Sequence, residues 1–277
     1  MKEAEAGPIE NHREREEKGV IVYPVYSRRS GGLSIGVNLF VDKKKCNFNC
    51  PYCEVFDFKN KSVFSLLDLK EQLLYAFQKA EETGVSVKDV CFSGNGEPTL
   101  SPYFIQALNL VIDIRKTLNS SAKIVVITNG TGFLNRSVFM EIKDVSANVE
   151  LFDVWVKIDA GCEDWYKKMN NSNVEYRDLI SGVKLFAELR PFTIQTMHCA
   201  YKGEAPPQDE IQNWINLVCG LVKTGNARKI QIYGKARSSP QDPLCEPLPL
   251  ESLQARAALL KDALKKQGSQ TPALVYE

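Results

Sequence analysis

The chain has 277 residues, 44% of them hydrophobic and 25% charged, with a formal net charge of +1. That is the balance of an ordinary globular protein, without the basic excess that marks a general nucleic-acid binder. No apolar run approaches the ~20 residues a membrane helix needs, and the charged stretch Met1–Lys18 has no apolar signal core, so a cytoplasmic protein is expected. Eight cysteines in such a compartment read as thiols, metal ligands or reactive groups rather than disulfides.

Residues 1–18 read as a solvated leader. Short β-branched runs then follow at Val37–Phe40, Val87–Ser93, Lys123–Thr128, Asp153–Asp159, Phe192–Met197 and Lys229–Tyr233. Segments of helical period lie between and after them. Leu66, Leu69, Leu73 and Phe77 share one face, as do Ile211, Trp214, Ile215 and Val218, and then Leu253, Ala257, Leu260 and Leu264. Pro206-Pro207 marks the start of the second of these helices. Six mostly apolar strands alternating with helices predict a parallel α/β sheet buried on both faces, curled as a partial barrel. The expected layout is a leader (1–18), a core barrel (19–249) and a C-terminal helix and tail packed on it (250–277). Arg237–Pro249, with four prolines, is expected to wrap the barrel edge.

In such a fold, chemistry gathers at the C-terminal ends of the strands, and the unusual polar segments stand there. Cys46, Cys50 and Cys53 follow the first strand. Ser93-Gly94-Asn95-Gly96-Glu97-Pro98 follows the second and Asn129-Gly130 the third. Asp159 ends the fourth, and His198 follows the fifth. Three thiols within eight residues can turn toward one centre, and thiolates are preferred ligands of iron–sulfur clusters and of zinc. Three ligands leave one iron of a four-iron cluster open. Zinc asks for a fourth Cys or His, and His12 and His198 do not stand at zinc-finger spacing. Three unrelated buried cysteines are the remaining reading.

The other motifs have plain readings beside functional ones. Glycines let a ligand approach the backbone, and Glu97 can accept from an ammonium, but Gly-Pro and Asn-Gly pairs also make simple turns. Lys157 and Asp159 point to the same side of their strand and need each other or a ligand. His198 is a candidate acid/base group or a hydrogen-bonded structural residue. Gln231, on the last strand, and Arg237 after it are candidates to meet a ligand. Cys91 and Cys219 read as core; Cys162, Cys199 and Cys245 have no spacing that assigns them. Lys43–Lys45, with Arg28 and Arg29, would attract a phosphate-bearing small molecule or RNA, or be a solvated surface.

The Cys-x-x-x-Cys-x-x-Cys pattern, with aromatic Tyr52 before its last cysteine, resembles the radical S-adenosylmethionine (SAM) superfamily. Ser93–Leu100 is similar to that family's Gly-Gly-Glu-Pro motif, with Asn95 separating the glycines. The resemblance implies a partial (β/α)6 barrel and a [4Fe–4S] cluster on Cys46, Cys50 and Cys53. It further implies an open iron that chelates the methionine part of SAM, and reductive cleavage of SAM to a 5′-deoxyadenosyl radical that takes hydrogen from a substrate. By the same resemblance Tyr52 lies against adenine, and Ser93, Gly94, Gly96 and Glu97 bind the methionine amino group. Thr128 and Asn129 reach ribose and carboxylate, and Lys157 lies near the cofactor; Gln231, from its place on the last strand, is a further candidate to bind the cofactor. Lys157, Asp159 and His198 are then the candidate catalytic groups, and a flavodoxin or ferredoxin the expected electron donor. The lead-in Tyr23–Phe40 is similar to a largely uncharacterised subgroup related to wyosine-type tRNA modification enzymes. Wyosine-base enzymes carry a second, N-terminal cysteine set, and residues 1–45 contain no cysteine. A single-cluster enzyme with an open substrate is therefore expected, with tRNA modification or a non-catalytic iron–sulfur protein as alternatives.

Overall fold

The computed structural model describes residues 20–276, so the expected leader lies outside the described residues. Strands β1 (Val22–Ser27) and β2 (Gly32–Val37) open the chain. Then come α1 (Leu66–Glu82), β3 (Val87–Phe92), α2 (Phe104–Thr117), β4 (Lys123–Thr128), α3 (Arg136–Asn148) and β5 (Phe152–Lys157). They are followed by α4 (Glu163–Met169), α5 (Tyr176–Leu189), β6 (Phe192–Met197), β7 (Cys199–Tyr201), α6 (Gln208–Val222) and β8 (Ala227–Tyr233). Last are β9 (Cys245–Pro247), α7 (Leu250–Lys266) and β10 (Ala273–Tyr276). The main sheet has eight strands in the order β1-β2-β3-β4-β5-β6-β8-β10. β1 and β2 form an antiparallel hairpin, and every later neighbour is parallel. The α/β, partial-barrel expectation holds.

Two features of the sheet differ from the expectation. The first expected strand, Val37–Phe40, is displaced: β2 ends at Val37. Asn38 turns the chain away, its Oδ1 accepting from the N–H groups of Phe40 and Asn95 at 3.2 and 3.1 Å. Glycines hid the true strand, because they carry no strand signal. Gly36 is required there: a Cβ on it would stand 2.2 Å from the ring of Tyr23. The two edge strands were also missed. β1 contains Pro24, which an edge tolerates, and β10 has only four residues.

The two faces of the sheet have different chemistry. On one, Ile35, Val37, Val90, Phe92, Ile124, Val126, Val154, Val156, Ile194, Ile230 and Ile232 are fully buried against the helices in one continuous core. The sequence stripes Leu69–Leu73, Trp214–Val218 and Leu253–Leu264 supply the helical side of that core. On the other face the alternate positions are mixed: Cys91, Val125, Ile127 and Trp155 make a small apolar cluster, and the rest are mostly polar. Asp153 accepts from Trp155 Nε1 at 3.0 Å and Thr193 Oγ1 at 2.9 Å. Lys157, Gln195 and Gln231 stand in one row across β5, β6 and β8. Both faces are buried, but only the helix-facing one is apolar throughout.

Aromatic packing marks the centre of the helical layer. Phe186 is fully buried, stacked on Phe133 at 4.5 Å and edge-on to Phe139 at 6.1 Å. Phe186→Ala is expected to destabilise the fold by about 3–5 kcal/mol. Tyr26→Ala, at a side chain 73% exposed, is expected to change stability by no more than about 0.5 kcal/mol. Chemical denaturation reads the difference; equal effects would contradict this placement of the core.

Candidate active site

The cysteine loop leaves the end of β2 and docks onto the glycine turn after β3. Lys45 pairs with Gly96 as a short parallel bridge. Its N–H donates to Asn95 O at 3.0 Å, and its carbonyl accepts from Glu97 N–H at 2.9 Å. This contact demands glycine, since a Cβ on Gly96 would lie 1.8 Å from the Lys45 carbonyl oxygen. Gly94 adopts φ +111, which favours glycine, and its α-carbon faces the Asn38 side chain. Asn95, the residue that interrupts the glycine pair, donates through Nδ2 to Phe40 O at 3.2 Å. It therefore ties the turn to the loop. Ser93 shares a 2.8 Å hydrogen bond with the Tyr23 hydroxyl.

Glu97 is buried beneath this junction. Its Oε1 accepts from Thr99 N–H (3.2 Å), Thr99 Oγ1 (2.6 Å) and Thr128 Oγ1 (2.7 Å), and Oε2 accepts from Asn129 N–H (2.7 Å). Burial pushes its pKa up, and these donors pull it back. All four donors are uncharged. The carboxylate is held in place without a cation among them, which suits it to receive one.

The Asn129 side chain turns to the cysteine loop. Its Nδ2 donates to Asn47 Oδ1 at 2.9 Å and approaches Cys46 Sγ at 3.7 Å. Phe48 N–H reaches the same sulfur at 3.4 Å. On the other side, Asn170 Nδ2 approaches Cys50 Sγ at 3.6 Å. Burial raises the Cys50 thiol pKa to about 11, and the Cys46 thiol, in a residue exposed overall, is raised to about 12 by local loss of water around its sulfur and then by Glu97. Such thiols stay protonated unless a metal draws off the proton. Among the described residues, no three Cys, His, Asp or Glu side chains close around a single metal point. A cluster takes one thiolate per iron, and N–H groups directed at cysteine sulfur are a feature of cluster sites. The donor set fits an iron–sulfur cluster.

A second network covers Cys50. Tyr52 OH donates to Asp159 Oδ2, and Asn170 Nδ2 donates to the same oxygen at 3.2 Å. Met197 N–H donates to Asp159 Oδ1 at 2.8 Å. Lys157 Nζ lies 3.3 Å from Asp159 Oδ2, donates to Tyr233 OH at 2.7 Å, and stands 5.1 Å from the ring centres of both Tyr52 and Tyr233. Burial lowers the Lys157 pKa, but Asp159 and Tyr233 outweigh it and hold the ammonium charged. The pairing expected of Lys157 and Asp159 is thus present. Arg29 brings a second cation, its guanidinium 4.7 Å from the Tyr233 ring centre. Gln231 Oε1 accepts from Gln195 Nε2 at 2.7 Å. Gln195 Oε1 is buried without a hydrogen-bond partner, and the Gln231 side chain also reaches Tyr276.

His198 packs elsewhere, edge-on to Trp214 at 4.7 Å. Burial and then Arg256 lower its pKa to about 3, so the ring is neutral at pH 7. Cys91 lies in the small apolar cluster with Val125 and Trp155. Cys162 caps α4, and Cys199 and Cys245 are buried on the paired strands β7 and β9. The proline-rich segment 237–249 is laced to the cysteine loop. Arg237 pairs with Glu54 at 2.9 Å, Ser239 Oγ donates to Pro51 O at 2.9 Å, and Gln241 Nε2 donates to Asn49 Oδ1 at 3.3 Å. A cavity of about 460 Å³ lies beside this seam, lined by Pro51, Lys167, Lys168, Asn171, Tyr201 and Gln241 among others. Lys43 and Lys45 are exposed next to Cys46, while Lys44 Nζ donates to Val55 O at 3.1 Å.

Sequence reasoning missed Asn170, Tyr233 and Asn47. Asn170 sits in a loop with no motif, Asn47 occupies a variable position inside the cysteine pattern, and Tyr233 reads as an ordinary strand aromatic. The only available signal was positional: Asn47 adjoins Cys46, Tyr233 ends β8 and Asn170 follows α4.

A sequence model of the Radical SAM superfamily matches residues 43–214. A UPF0026 protein of Helicobacter pylori (strain ATCC 700392 / 26695) is 32% identical over 220 residues, covering 79% of this chain and 67% of that protein. Streptococcus suis SuiB bound to S-adenosylmethionine shares the fold with a TM-score of 0.64 at 13% identity, over 85% of this chain. The match covers 49% of SuiB, so the chain spans about half the length of that protein. TYW1 with a lysine–pyruvate adduct bound shares it with a TM-score of 0.54 at 17% identity, over 83% of this chain and 73% of that one. With the cysteine loop and the strands around it inside the matched residues, the chain belongs to the radical SAM superfamily and is an enzyme of that class.

Proposed function

We propose that Cys46, Cys50 and Cys53 hold a single [4Fe–4S] cluster and that SAM binds beside it, with the Glu97 turn as its main anchor. When bound, the pair supplies one-electron cleavage of the sulfonium and a 5′-deoxyadenosyl radical that abstracts hydrogen from a substrate. The observation that carries this reading is the Glu97 carboxylate, buried and fixed by four neutral donors at the junction with the cysteine loop. A carboxylate so placed is complementary to an ammonium such as that of methionine.

The chain's own residues then divide the work. Ser93, Gly94 and Gly96 let the backbone approach the methionine end, and Thr128 and Asn129 orient Glu97 and the cysteine loop. Tyr52, buried and bonded to Asp159, offers a face to the adenine. Lys157 and Arg29 put two cations beside Tyr233. These groups favour a substrate that carries a carboxylate or phosphate. Asp159 fixes Lys157 and Tyr52, and His198, neutral at pH 7, packs behind β6. The electron comes from a flavodoxin or ferredoxin, and the setting is the cytoplasm.

The exposed lysines beside Cys46 favour one alternative substrate, RNA such as tRNA. Replacing Lys43, Lys44 and Lys45 with Gln would then weaken tRNA binding and flatten its salt dependence, by about one unit of slope per lost phosphate contact. Absence of tRNA binding at low salt removes this reading.

Anaerobic reconstitution with iron and sulfide, followed by dithionite and SAM, tests the main proposal. The wild type is expected to release 5′-deoxyadenosine, and Cys50→Ala to release none. A fully loaded wild type that leaves SAM intact contradicts it. Glu97→Gln keeps the shape but loses a charge-assisted contact of about 1.5–3 kcal/mol. It should weaken SAM binding by roughly 10- to 100-fold, read by equilibrium binding to the cluster-loaded protein. Unchanged affinity would remove Glu97 from the site.

A further inference from the structure

We infer that Asn170 is a positioning residue that couples the Cys50 sulfur to the Asp159–Tyr52–Lys157 network and sets the reduction potential of the cluster; this inference rests on the cluster reading above. Asn170 follows the last residue of α4, far from the cysteines in sequence, and is 3% exposed. Its two halves do separate jobs. The backbone carbonyl accepts from Asn49 N–H at 2.9 Å and anchors the cysteine loop. The side-chain amide faces three acceptors: Cys50 Sγ at 3.6 Å, Asp159 Oδ2 at 3.2 Å and Tyr52 OH at 3.3 Å.

An amide has two N–H bonds to give. Tyr52 already donates to Asp159. The two Asn170 hydrogens therefore go to the carboxylate and, once Cys50 is a thiolate ligand, to its sulfur. Before metal binding the direction reverses at the backbone, where the thiol donates to Asn170 O at 3.9 Å. An N–H aimed at a ligand sulfur favours the reduced, more negative cluster and raises its potential. Asn129 holds the matching position at Cys46. Asn170 differs in that the same amide also grips the carboxylate paired with Lys157. Displacing that carboxylate would therefore be felt at the cluster.

Because the loop anchor is a backbone carbonyl, side-chain variants leave it in place. The full chain is reconstituted anaerobically as wild type, Asn170→Leu and Asn170→Asp, and cluster potentials are measured by EPR-monitored redox titration at pH 7.5. The expected order is wild type highest, Asn170→Leu lower, and Asn170→Asp lowest, because a carboxylate beside the sulfur opposes added negative charge. A merely structural role would change cluster content without producing that order. Coincident potentials in wild type and Asn170→Leu, both with full cluster content, overturn the inference alone. A wild type that assembles no cluster overturns the cluster reading, and this inference with it. Should Asn170→Leu fail to hold a cluster, Asn170→Ser takes its place with the same expected fall, and an unshifted potential there overturns the inference.

Discussion

The cysteine loop and the glycine turn after β3 meet backbone to backbone, and the rest of the site depends on that contact. Lys45 and Gly96 come so close that no side chain can stand between them. The contact brings the start of the cysteine loop onto Glu97, and Asn129 reaches both, donating to Glu97 through its N–H and approaching Cys46 through its side chain. Twenty-eight residues separate the end of β2 from α1, and a free loop of that length would not hold three sulfurs in a fixed relation. Here it is pinned at three places. Gly96 takes the start, Asn170 the middle through Asn49, and Arg237 and Ser239 the far side through Glu54 and Pro51.

The sheet supports this arrangement by dividing its faces. Val and Ile side chains on the helix-facing side form the continuous core, which carries most of the stability. The other side is then free to carry Asp153, Lys157, Gln195, Gln231 and Tyr233. Burying these groups is costly unless each finds a partner. Most do: Lys157 has Asp159 and Tyr233, and Asp153 has Trp155 and Thr193. The Gln195 amide oxygen, buried without a partner, stands out against that background. Gln195 lies in the same row as Lys157 and Gln231.

Much of this was legible in the sequence, for identifiable reasons. Five of the six expected strands are long β-branched runs, and the helices show clean apolar stripes. The cysteine spacing, the Glu97 turn and the Lys157–Asp159 pair are local patterns, so they could be read without a fold. β2 was misplaced because glycine replaces the strand signal where Tyr23 needs room. Asn170 and Tyr233 were invisible because their importance arises from packing between distant segments. Asn129 was noticed, but its side chain's approach to Cys46 depends on the docked loop. The substrate is the least legible part: Arg29, Gln195 and Gln231 come from three separate segments and share no motif.

One [4Fe–4S] cluster on Cys46, Cys50 and Cys53 would leave an iron open for SAM. The most direct measurement is the EPR spectrum of the reduced, reconstituted wild type with and without SAM. Ligation at the open iron should change the signal, and the change should be weakened in Glu97→Gln at the same SAM concentration. A four-iron signal that is identical with and without saturating SAM would contradict the account.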